Sequence, residues 1–253
     1  MKRSILITGG GRRIGRALAL GLAGDGWSVA VHYGQSAEAA QEVAEEIAAG
    51  GGCAVILAAD LADAGAVEKL VAEADDALAA QGAPPLGALI NNASIFENDT
   101  AASLDAAQWD AHQNINLRAP ALLMRDFAKR EAAEGGAIIN IIDQRVWRLT
   151  PNFLSYTVSK TGLWTLTQTF AQSLAAQGIR VNAIGPGPVL PAPYQTQAQF
   201  DRQAEAVPLG RGASPEEIVE AARYILAAPS MTGQMIALDG GQHLAWRTPD
   251  ADS

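Results

Sequence analysis

Cysteine and long apolar runs are both scarce in this 253-residue sequence. Cys53 is the only cysteine, so no disulfide can form within the chain, which favours a reducing compartment. Near the N-terminus, Lys2 and Arg3 precede only the short apolar run Ile5–Ile7, which is too short for a signal peptide. No other stretch is long enough to span a membrane. We therefore expect a cytoplasmic protein with no membrane partner.

Positive charge is also in short supply. The chain has 18 Lys and Arg against 27 Asp and Glu, and its net charge of −9 disfavours nucleic acids and anionic membrane surfaces as partners. Hydrophobic residues make up 49% and charged residues only 18%, which indicates a packed globular chain. An anionic cofactor remains compatible with the sequence, because Arg12 and Arg13 form a local basic cluster.

Short β-branched runs alternate with longer amphipathic, alanine-rich segments. The seven predicted strands are Ser4–Thr8, Ser28–His32, Cys53–Ala58, Ala88–Asn91, Ala137–Ile142, Arg180–Ile184 and Met235–Leu238. Helical periodicity between them is found, for example, in Ile14–Asp25, Ala37–Ala49, Ala66–Gln81 and Ser155–Ala176. The alternation predicts an α/β fold in which residues 1–253 form a single Rossmann-like, doubly wound domain, with a seven-stranded parallel sheet flanked by helices.

Two segments depart from this alternation. Residues 188–212 are rich in proline and polar residues, and we predict a substrate-covering loop or short helix there. Residues 242–253 form a C-terminal tail, and its last part, Thr248–Ser253, has the composition of a disordered end.

A glycine-rich stretch follows the first predicted strand and precedes a predicted helix. It reads Thr8-Gly9-Gly10-Gly11-Arg12-Arg13-Ile14-Gly15. Glycines allow a tight turn and let backbone N–H groups approach a pyrophosphate, while the helix N-terminus supplies a favourable dipole. A glycine run alone is weak evidence, but its place in the first βαβ unit predicts a dinucleotide-binding turn. The predicted cofactor-binding residues here are Gly9, Arg12, Arg13 and Ile14.

The end of the second predicted strand indicates which dinucleotide is bound. Proteins that prefer NAD usually carry an acidic residue there to bind the ribose hydroxyls, whereas this sequence reads Val31-His32-Tyr33-Gly34-Gln35-Ser36. Because no carboxylate is present, a 2′-phosphate would not be repelled, and we predict NADPH as the cofactor. The candidate contacts are Arg12, Arg13, His32 and Ser36. An alternative for His32 and Tyr33 is packing on the adenine.

Tyr156 and Lys160 lie four residues apart, near the start of a predicted helix. This spacing places both side chains on one helix face. An ammonium beside a phenol stabilises the phenolate and lowers the pKa of the tyrosine. Such a tyrosine can exchange a proton near neutral pH while a hydride moves to or from a nicotinamide. Alone, the pair is more often a solvated helix face, so its weight depends on the other motifs.

These motifs together resemble the short-chain dehydrogenase/reductase family over almost the whole chain, from Ser4 to Gly241. In chain order the matching pieces are Thr8-Gly9 to Gly15, Asp60-Leu61, Asn91-Asn92-Ala93-Ser94, Asn116, Tyr156 to Lys160, Gly185-Pro186-Gly187 and Asp239-Gly240-Gly241. Each piece is weak alone, but their common order and spacing make a strong joint signal. The resemblance implies a nicotinamide-dependent oxidoreductase of small molecules.

The resemblance also implies roles for residues outside the glycine turn. Asp60 and Leu61 would flank the adenine, Asn92 and Ala93 would line the cofactor cleft, and Pro186 and Gly187 would lie against the nicotinamide. Asn116 would hold a water or a backbone group that links to Lys160, with a helix kink as the alternative reading. Asp239-Gly240-Gly241 is typical of a turn.

Two departures from the common family pattern point to a particular branch. Arg13 stands where the middle glycine is expected, and Asp143 replaces the catalytic serine, thirteen residues before Tyr156. A carboxylate would repel a developing alkoxide, whereas a carboxyl group suits proton delivery to a ring nitrogen. Both departures, together with Phe96 after the Asn-Asn-Ala-Ser motif, resemble the pteridine reductase branch, which includes the bacterial dihydromonapterin reductases.

The resulting hypothesis is reduction of a ring C=N in a pterin-like heterocycle that lies between the nicotinamide and Phe96. Asp143 and Tyr156, tuned by Lys160, would supply the proton. The further predicted substrate contacts are Arg13 and Ser94, which would orient the substrate and the cofactor phosphates. The alternatives are that Asp143 only caps a loop and that Phe96 is only a core aromatic. Trp147 and Arg148 receive no assigned role.

Two other functions compete with this hypothesis. The chain would be a carbonyl reductase or alcohol dehydrogenase of the 3-oxoacyl reductase type if Asp143 were a tolerated variant. It would be a non-catalytic sensor of NADP(H) if it performed no chemistry, which the intact set of Tyr156, Lys160 and Asn116 disfavours. The family expectation for assembly is a homotetramer. In the pteridine reductase branch a terminal arginine approaches a neighbouring active site, and Arg247, beside Trp246, lies near the corresponding place.

Overall fold

The computed structural model describes residues 3–130, 135–192 and 195–245. Within these residues the chain forms one parallel seven-stranded sheet. Its strands are β1 Ser4–Ile7, β2 Ser28–Tyr33, β3 Ala54–Ala58, β4 Leu86–Asn91, β5 Ala137–Ile141, β6 Arg180–Pro186 and β7 Met235–Leu238. Their order is β3-β2-β1-β4-β5-β6-β7, so the winding direction reverses between β1 and β4. The predicted α/β, Rossmann-like class is confirmed.

Helices cover both faces of this sheet. They are α1 Arg13–Gly24, α2 Ala37–Ala49, α3 Ala64–Ala80, α4 Ala106–Gln113, α5 Ala119–Ala128, α6 Leu154–Leu174, α7 Gln197–Glu205 and α8 Pro215–Ala227. The helix α7 lies inside the predicted substrate segment 188–212 and begins with a capping box formed by Thr196 and Gln199. No described helix combines the length and the apolar character needed to cross a bilayer.

The core consists of two apolar layers, one on each face of the sheet. Successive side chains of a strand point to opposite faces, and β1 shows this alternation with three fully buried apolar residues. Leu6 packs in the layer that holds Leu70 of α3, while Ile5 and Ile7 pack in the layer that holds Leu18 of α1. This double coverage explains why the strand sequences are apolar throughout rather than alternating.

The site follows from this topology. The carboxyl ends of parallel strands meet at one edge of the sheet, and ligands bind where the winding direction reverses. The glycine turn after β1, the Asn-Asn-Ala-Ser stretch after β4 and Asp143 after β5 therefore meet at that edge. The predicted tail residues Trp246, Arg247 and Thr248–Ser253 lie outside the described residues.

Candidate active site

A cleft of about 400 Å³ opens at this edge. Most of the residues predicted from the sequence line it. They are Gly9, Arg12, Arg13, Ile14, Tyr33, Ser36, Asn92, Ala93, Ser94, Phe96, Asp143, Tyr156, Lys160, Pro186 and Gly187. Four predicted residues, His32, Asp60, Leu61 and Asn116, are not part of this lining. One cleft therefore holds both the glycine turn and the two groups expected to supply the proton, Asp143 and Tyr156.

The glycine turn is shaped so that a ligand can approach its backbone closely. Gly9 has a φ of +63°, in the left-handed region, and a β-carbon at Gly15 would overlap the carbonyl oxygen of Gly9. A β-carbon at Gly11 would lie 2.9 Å from the backbone nitrogen of Ala40. These positions accept only glycine, and the first turn of α1 borders the cleft directly after them. Such a cradle at a helix N-terminus fits a pyrophosphate.

Arg13 is held in an unusual way. Its φ of 53° lies in the region that favours glycine, which agrees with the glycine usually found at this position in the family. Its guanidinium donates hydrogen bonds to the carbonyl oxygens of Pro191, at 2.7 Å, and Leu190, at 3.2 Å. Arg13 thus joins the glycine turn to the segment that follows β6. Its predicted contact with phosphate or substrate stays a prediction.

The side chain of His32 lies beneath the glycine turn. The side chain is buried, its Nδ1 accepts a hydrogen bond from the backbone N–H of Gly9 at 3.2 Å, and its Nε2 lies 3.0 Å from the carbonyl oxygen of Ala59. This pattern requires a neutral ring with the proton on Nε2. Burial lowers the pKa of His32 and so favours that neutral form. His32 supports the glycine turn from beneath, and its predicted contact with a 2′-phosphate stays a prediction.

The implied place of Asp60 and Leu61 beside the adenine stays a prediction. Asp60 accepts a hydrogen bond from the backbone N–H of Ala62 at 2.8 Å and so shapes the turn after β3. Leu61 is buried in the same apolar layer as Val67 and Leu70 of α3. Their observed role is to fix the loop between β3 and α3. At the end of β2 and directly after it, Tyr33, Gly34 and Ser36 border the cleft.

Asp143 and Tyr156 form the centre of the cleft. The phenol of Tyr156 donates a hydrogen bond to Oδ2 of Asp143 at 3.0 Å. The other oxygen, Oδ1, accepts the backbone N–H of Arg145 at 2.8 Å and caps the short 3₁₀ turn Gln144–Val146. Both roles considered for Asp143, loop cap and partner of the tyrosine, are therefore present. Burial raises its pKa, although the Arg145 N–H and the charges of Arg145 and Lys160 act in the opposite direction.

Lys160 lies beneath the tyrosine on the same face of α6. Its Nζ donates to the carbonyl oxygen of Ile141 at 2.8 Å and lies 5.7 Å from the centroid of the Tyr156 ring. Burial lowers the pKa of Lys160 to about 8, against the opposing effect of the Asp143 charge. The predicted spacing of the pair is thus reflected in the geometry, with the Lys160 ammonium near the Tyr156 ring and the Asp143 carboxyl group on its hydroxyl.

Asn116 supports the site from outside the cleft. It lies in the π-helical turn Asn114–Arg118 between α4 and α5 and is fully buried. Its Oδ1 accepts the backbone N–H of Ile95 at 2.9 Å, and its Nδ2 donates to the Ile95 carbonyl at 3.0 Å and to Ser159 Oγ at 3.2 Å. It therefore holds the backbone of Ile95 and connects the loop before Phe96 to the residue preceding Lys160. The implied link from Asn116 to Lys160 stays a prediction.

Phe96 borders the cleft and stacks on Phe153, which the sequence did not single out. The two rings are parallel, with centroids 4.3 Å apart, and the Phe96 ring meets the Tyr156 ring edge-on at 4.7 Å. Phe153 directly precedes α6 and has a φ of 59°. Its backbone N–H donates to Asn98 Oδ1 at 3.2 Å. Asparagine and aspartate are capping residue types, so the Asn98-Asp99 pair was the sequence signal that could have predicted this contact.

Comparison with known proteins agrees with this geometry. The family model described as Enoyl-(Acyl carrier protein) reductase matches residues 10–243. The crystal structure of FolM alternative dihydrofolate reductase 1 from Brucella canis, complexed with NADP, is 46% identical, with a TM-score of 0.92, and the match covers 98% of this chain and 96% of that chain.

Two curated relatives extend the comparison. The uncharacterized oxidoreductase YgfF of Escherichia coli (strain K12) is 37% identical over 248 residues, which cover 94% of this chain and 98% of the relative. A 3-oxoacyl-(acyl-carrier-protein) reductase of Synechocystis sp. is 32% identical over 240 residues, which cover 93% of this chain and 95% of the relative.

The chain belongs to the short-chain dehydrogenase/reductase family, and the resemblance seen in the sequence is confirmed. It is an NADP-dependent oxidoreductase, since its structural neighbours carry NADP or NADPH and its glycine turn fits a dinucleotide. Two of these neighbours are alternative dihydrofolate reductases, in agreement with the branch that Arg13 and Asp143 indicated.

Proposed function

We propose that the protein reduces a ring C=N bond of a pterin-like heterocycle with NADPH. The observation that carries this proposal is the pair of Asp143 and Tyr156, in which the carboxyl group accepts the phenolic hydrogen bond at 3.0 Å. In a ketone reductase the donor at this place is a hydroxyl that stays neutral, whereas a carboxyl group that has given up its proton becomes a carboxylate and repels a developing alkoxide. A ring nitrogen that gains a proton suits a carboxyl group instead.

The chain's own groups account for the proton. When bound, NADPH supplies the hydride that reduces the ring carbon, and the adjacent ring nitrogen must gain one proton, so that C=N becomes CH–NH. The raised pKa of Asp143 favours its protonated form, from which the proton passes to the nitrogen directly or through the phenol of Tyr156. The Lys160 ammonium stabilises the phenolate during this exchange.

The substrate position follows from the aromatic side chains. Phe96 borders the cleft beside Tyr156 and is supported by its stack on Phe153. A planar heterocycle would pack on this aromatic surface, where offset or edge-on ring contacts are favourable. Arg13 and Ser94 border the same cleft and remain the predicted polar contacts to the substrate and the cofactor phosphates. The dihydrofolate reductase activity named for the 46% identical neighbour supports this substrate class.

The test is NADPH oxidation by the purified protein with a panel of dihydropterins, dihydrofolate and small ketones. Turnover of dihydropterins without turnover of ketones is the expected result. Turnover of ketones alone would refute the proposal. Tyr156→Phe should abolish turnover while NADPH binding, followed by the fluorescence of the reduced nicotinamide, stays nearly unchanged.

A carbonyl reductase is the second candidate. The names of several relatives support it, because they are 3-oxoacyl reductases that are 30–32% identical to this chain. The intact Tyr156, Lys160 and Asn116 also suit that chemistry. Asp143 is the residue that separates the two candidates, and the ketone arm of the same panel decides between them. The cytoplasmic location and the homotetramer stay predictions, and size-exclusion chromatography that gave only monomer would contradict the latter.

A further inference from the structure

Helix α4 and the π-helical turn after it present three polar side chains to residues 95–99, the aromatic loop that carries Phe96. Gln108, His112 and Asn116 follow one another at intervals of four residues, which places them on one face. Each of them bonds the backbone of the aromatic loop. Their partners are, in this order, the carbonyl oxygen of Asn98, at 3.3 Å, the N–H of Glu97, at 3.4 Å, and the N–H and carbonyl of Ile95, at 2.9 and 3.0 Å.

His112 is the middle member of this face and is fully buried. Its Nδ1 lies 2.9 Å from the carbonyl oxygen of Gln108, so Nδ1 carries a proton and donates it. Its Nε2 accepts the N–H of Glu97 and therefore carries none. The two bonds together define a neutral ring in the Nδ1–H tautomer. His32 has the opposite tautomer, with its proton on Nε2.

The His112 ring also packs against the catalytic tyrosine. It meets the Tyr156 ring edge-on, with centroids 6.3 Å apart, and the Tyr156 ring meets Phe96 edge-on at 4.7 Å. Edge-on arrangements of this kind are favourable for ring pairs. His112 therefore contacts the side chain that transfers the proton through its ring, and the aromatic loop through its Nε2.

His112 does not line the cleft, so it acts on the reaction only through the residues it touches. A buried polar ring is costly unless its nitrogens are hydrogen-bonded. An apolar side chain would fill the space beside Tyr156 without that cost, but it would leave the N–H of Glu97 without its acceptor. The imidazole in this place therefore serves the bond to the aromatic loop rather than packing alone.

We propose that His112 is a positioning residue for the reduction. Its neutral Nδ1–H ring fixes Glu97, and thereby Phe96, while it holds the Tyr156 ring in the orientation from which the phenol reaches Asp143. The proposal rests on the proposed function, in which Phe96 and Tyr156 border the substrate. It predicts that the reaction needs the bond to Glu97 and not the bond within α4.

Three substitutions separate the two bonds of His112. His112→Gln places a carboxamide oxygen near the position of Nε2 and retains an acceptor for the N–H of Glu97. His112→Asn places a carboxamide near the position of Nδ1 and retains only the bond to Gln108. His112→Leu keeps an apolar side chain beside Tyr156 and removes both bonds. The test measures kcat and KM for dihydropterin reduction and the affinity for NADPH in each variant.

We expect His112→Asn and His112→Leu to lower kcat by about tenfold or more, because small displacements of reacting groups are costly. His112→Gln should retain a kcat close to that of the wild type. The affinity for NADPH should be unchanged in all three variants, since His112 does not line the cleft. Equal kcat in the Gln and Leu variants, or a wild-type kcat in the Asn variant, would overturn the proposal.

Asp105→Ala is the control for a general loss of stability in α4. It removes the N-cap that accepts the N–H groups of Ala107 and Gln108, and it leaves both bonds of His112 in place. It should lower the temperature of unfolding and leave kcat near the wild-type value. If kcat followed the temperature of unfolding across all four variants, the specific role of His112 would be overturned.

The tautomer can be measured in the unaltered protein, which keeps the proposal testable if the variants do not fold. The chain has three histidines, and heteronuclear NMR of histidine-labelled protein shows which ring nitrogen carries the proton. Contacts with the ring protons of Tyr156 identify the signals of His112. We expect that ring to be neutral with its proton on Nδ1. A proton on its Nε2 would overturn the proposal.

Failure of this proposal is distinct from failure of the proposed function. Wild-type turnover of dihydropterins without a difference between His112→Gln and His112→Asn would overturn only the role of His112. Absence of dihydropterin turnover in the wild type would overturn the proposed function, and this role with it.

Discussion

The carboxylate of Asp99 accepts two contacts from the backbone N–H of Ser155, at 3.1 and 3.2 Å, and also accepts the Ser155 hydroxyl. Asp99 is buried and belongs to the loop that carries Phe96, whereas Ser155 lies in the first turn of α6 beside Tyr156. A helix N-terminus has unpaired N–H groups that need such an acceptor. One carboxylate thus fixes the aromatic loop to the catalytic helix.

Asp99→Ala should lower the free energy of unfolding by about 2 kcal/mol, because it removes a helix cap and leaves buried donors unpaired. We also expect a lower kcat with little change in NADPH affinity, since Tyr156 and Phe96 lose their common support. Asp99→Asn should be milder, because the amide retains one acceptor oxygen. Chemical denaturation and steady-state kinetics measure both effects.

The matched control for this cap is Asp105→Ala. Asp105 caps α4 through hydrogen bonds from the backbone N–H groups of Ala107, at 2.9 Å, and Gln108, at 3.1 Å. It should lose about 1 kcal/mol of stability without a change in kcat. If both variants reduced kcat equally, the special role of Asp99 in positioning Tyr156 would be disproved.

Asp143→Ser tests the proton donor. Serine and aspartate are both good capping residues, so the 3₁₀ turn Gln144–Val146 should stay in place. We expect kcat for dihydropterin reduction to fall by about 100-fold, a typical contribution of a general acid. Small ketones should become better substrates, because the carboxyl group no longer faces a developing alkoxide. Unchanged dihydropterin turnover in this variant would show that Asp143 does not deliver the proton.

The pKa of Lys160, lowered to about 8 by burial, predicts how activity depends on pH. The lysine is charged below this value and neutral above it, and only the charged form stabilises the Tyr156 phenolate. The raised pKa of Asp143 acts in the same direction, since the protonated acid is lost as pH increases. We therefore expect kcat/KM for reduction to fall as pH rises through about 8. A profile that rises through this range, with constant NADPH affinity, would contradict the assignment.

Hydrophobic periodicity predicted the helices and strands closely, and the local sequence explains where they begin and end. The predicted helix Ala37–Ala49 has the observed bounds, because its apolar residues repeat at helical spacing between Ser36 and a following glycine. The sequence did not predict where side chains at the ends of helices and strands would point. The predicted strand Ser28–His32 is observed as Ser28–Tyr33, yet only the tertiary structure shows that the His32 ring lies beneath Gly9.

Long-range contacts and irregular turns account for the other features that the sequence did not predict. The bonds from Arg13 to Leu190 and Pro191 connect residues far apart in sequence, which no local pattern encodes. The π-helical turn Asn114–Arg118 interrupts two helices without a proline or glycine inside it. The left-handed backbone of Phe153 likewise depends on the stack with Phe96 and the bond to Asn98.

Gly15→Ala tests the cofactor cradle against a control in the same helix. A β-carbon at Gly15 would overlap the Gly9 carbonyl oxygen and lie 2.7 Å from Nδ2 of Asn92, so the turn must shift. We expect a loss of about 1–3 kcal/mol of stability from overpacking and at least tenfold weaker NADPH binding, measured by fluorescence titration. Gly24 is the last residue of α1, and a β-carbon there meets nothing within 4 Å. Gly24→Ala should therefore be neutral or stabilising by about 0.5–1 kcal/mol, with unchanged affinity. Equal NADPH affinity in the two variants would refute the assignment of this turn to the pyrophosphate.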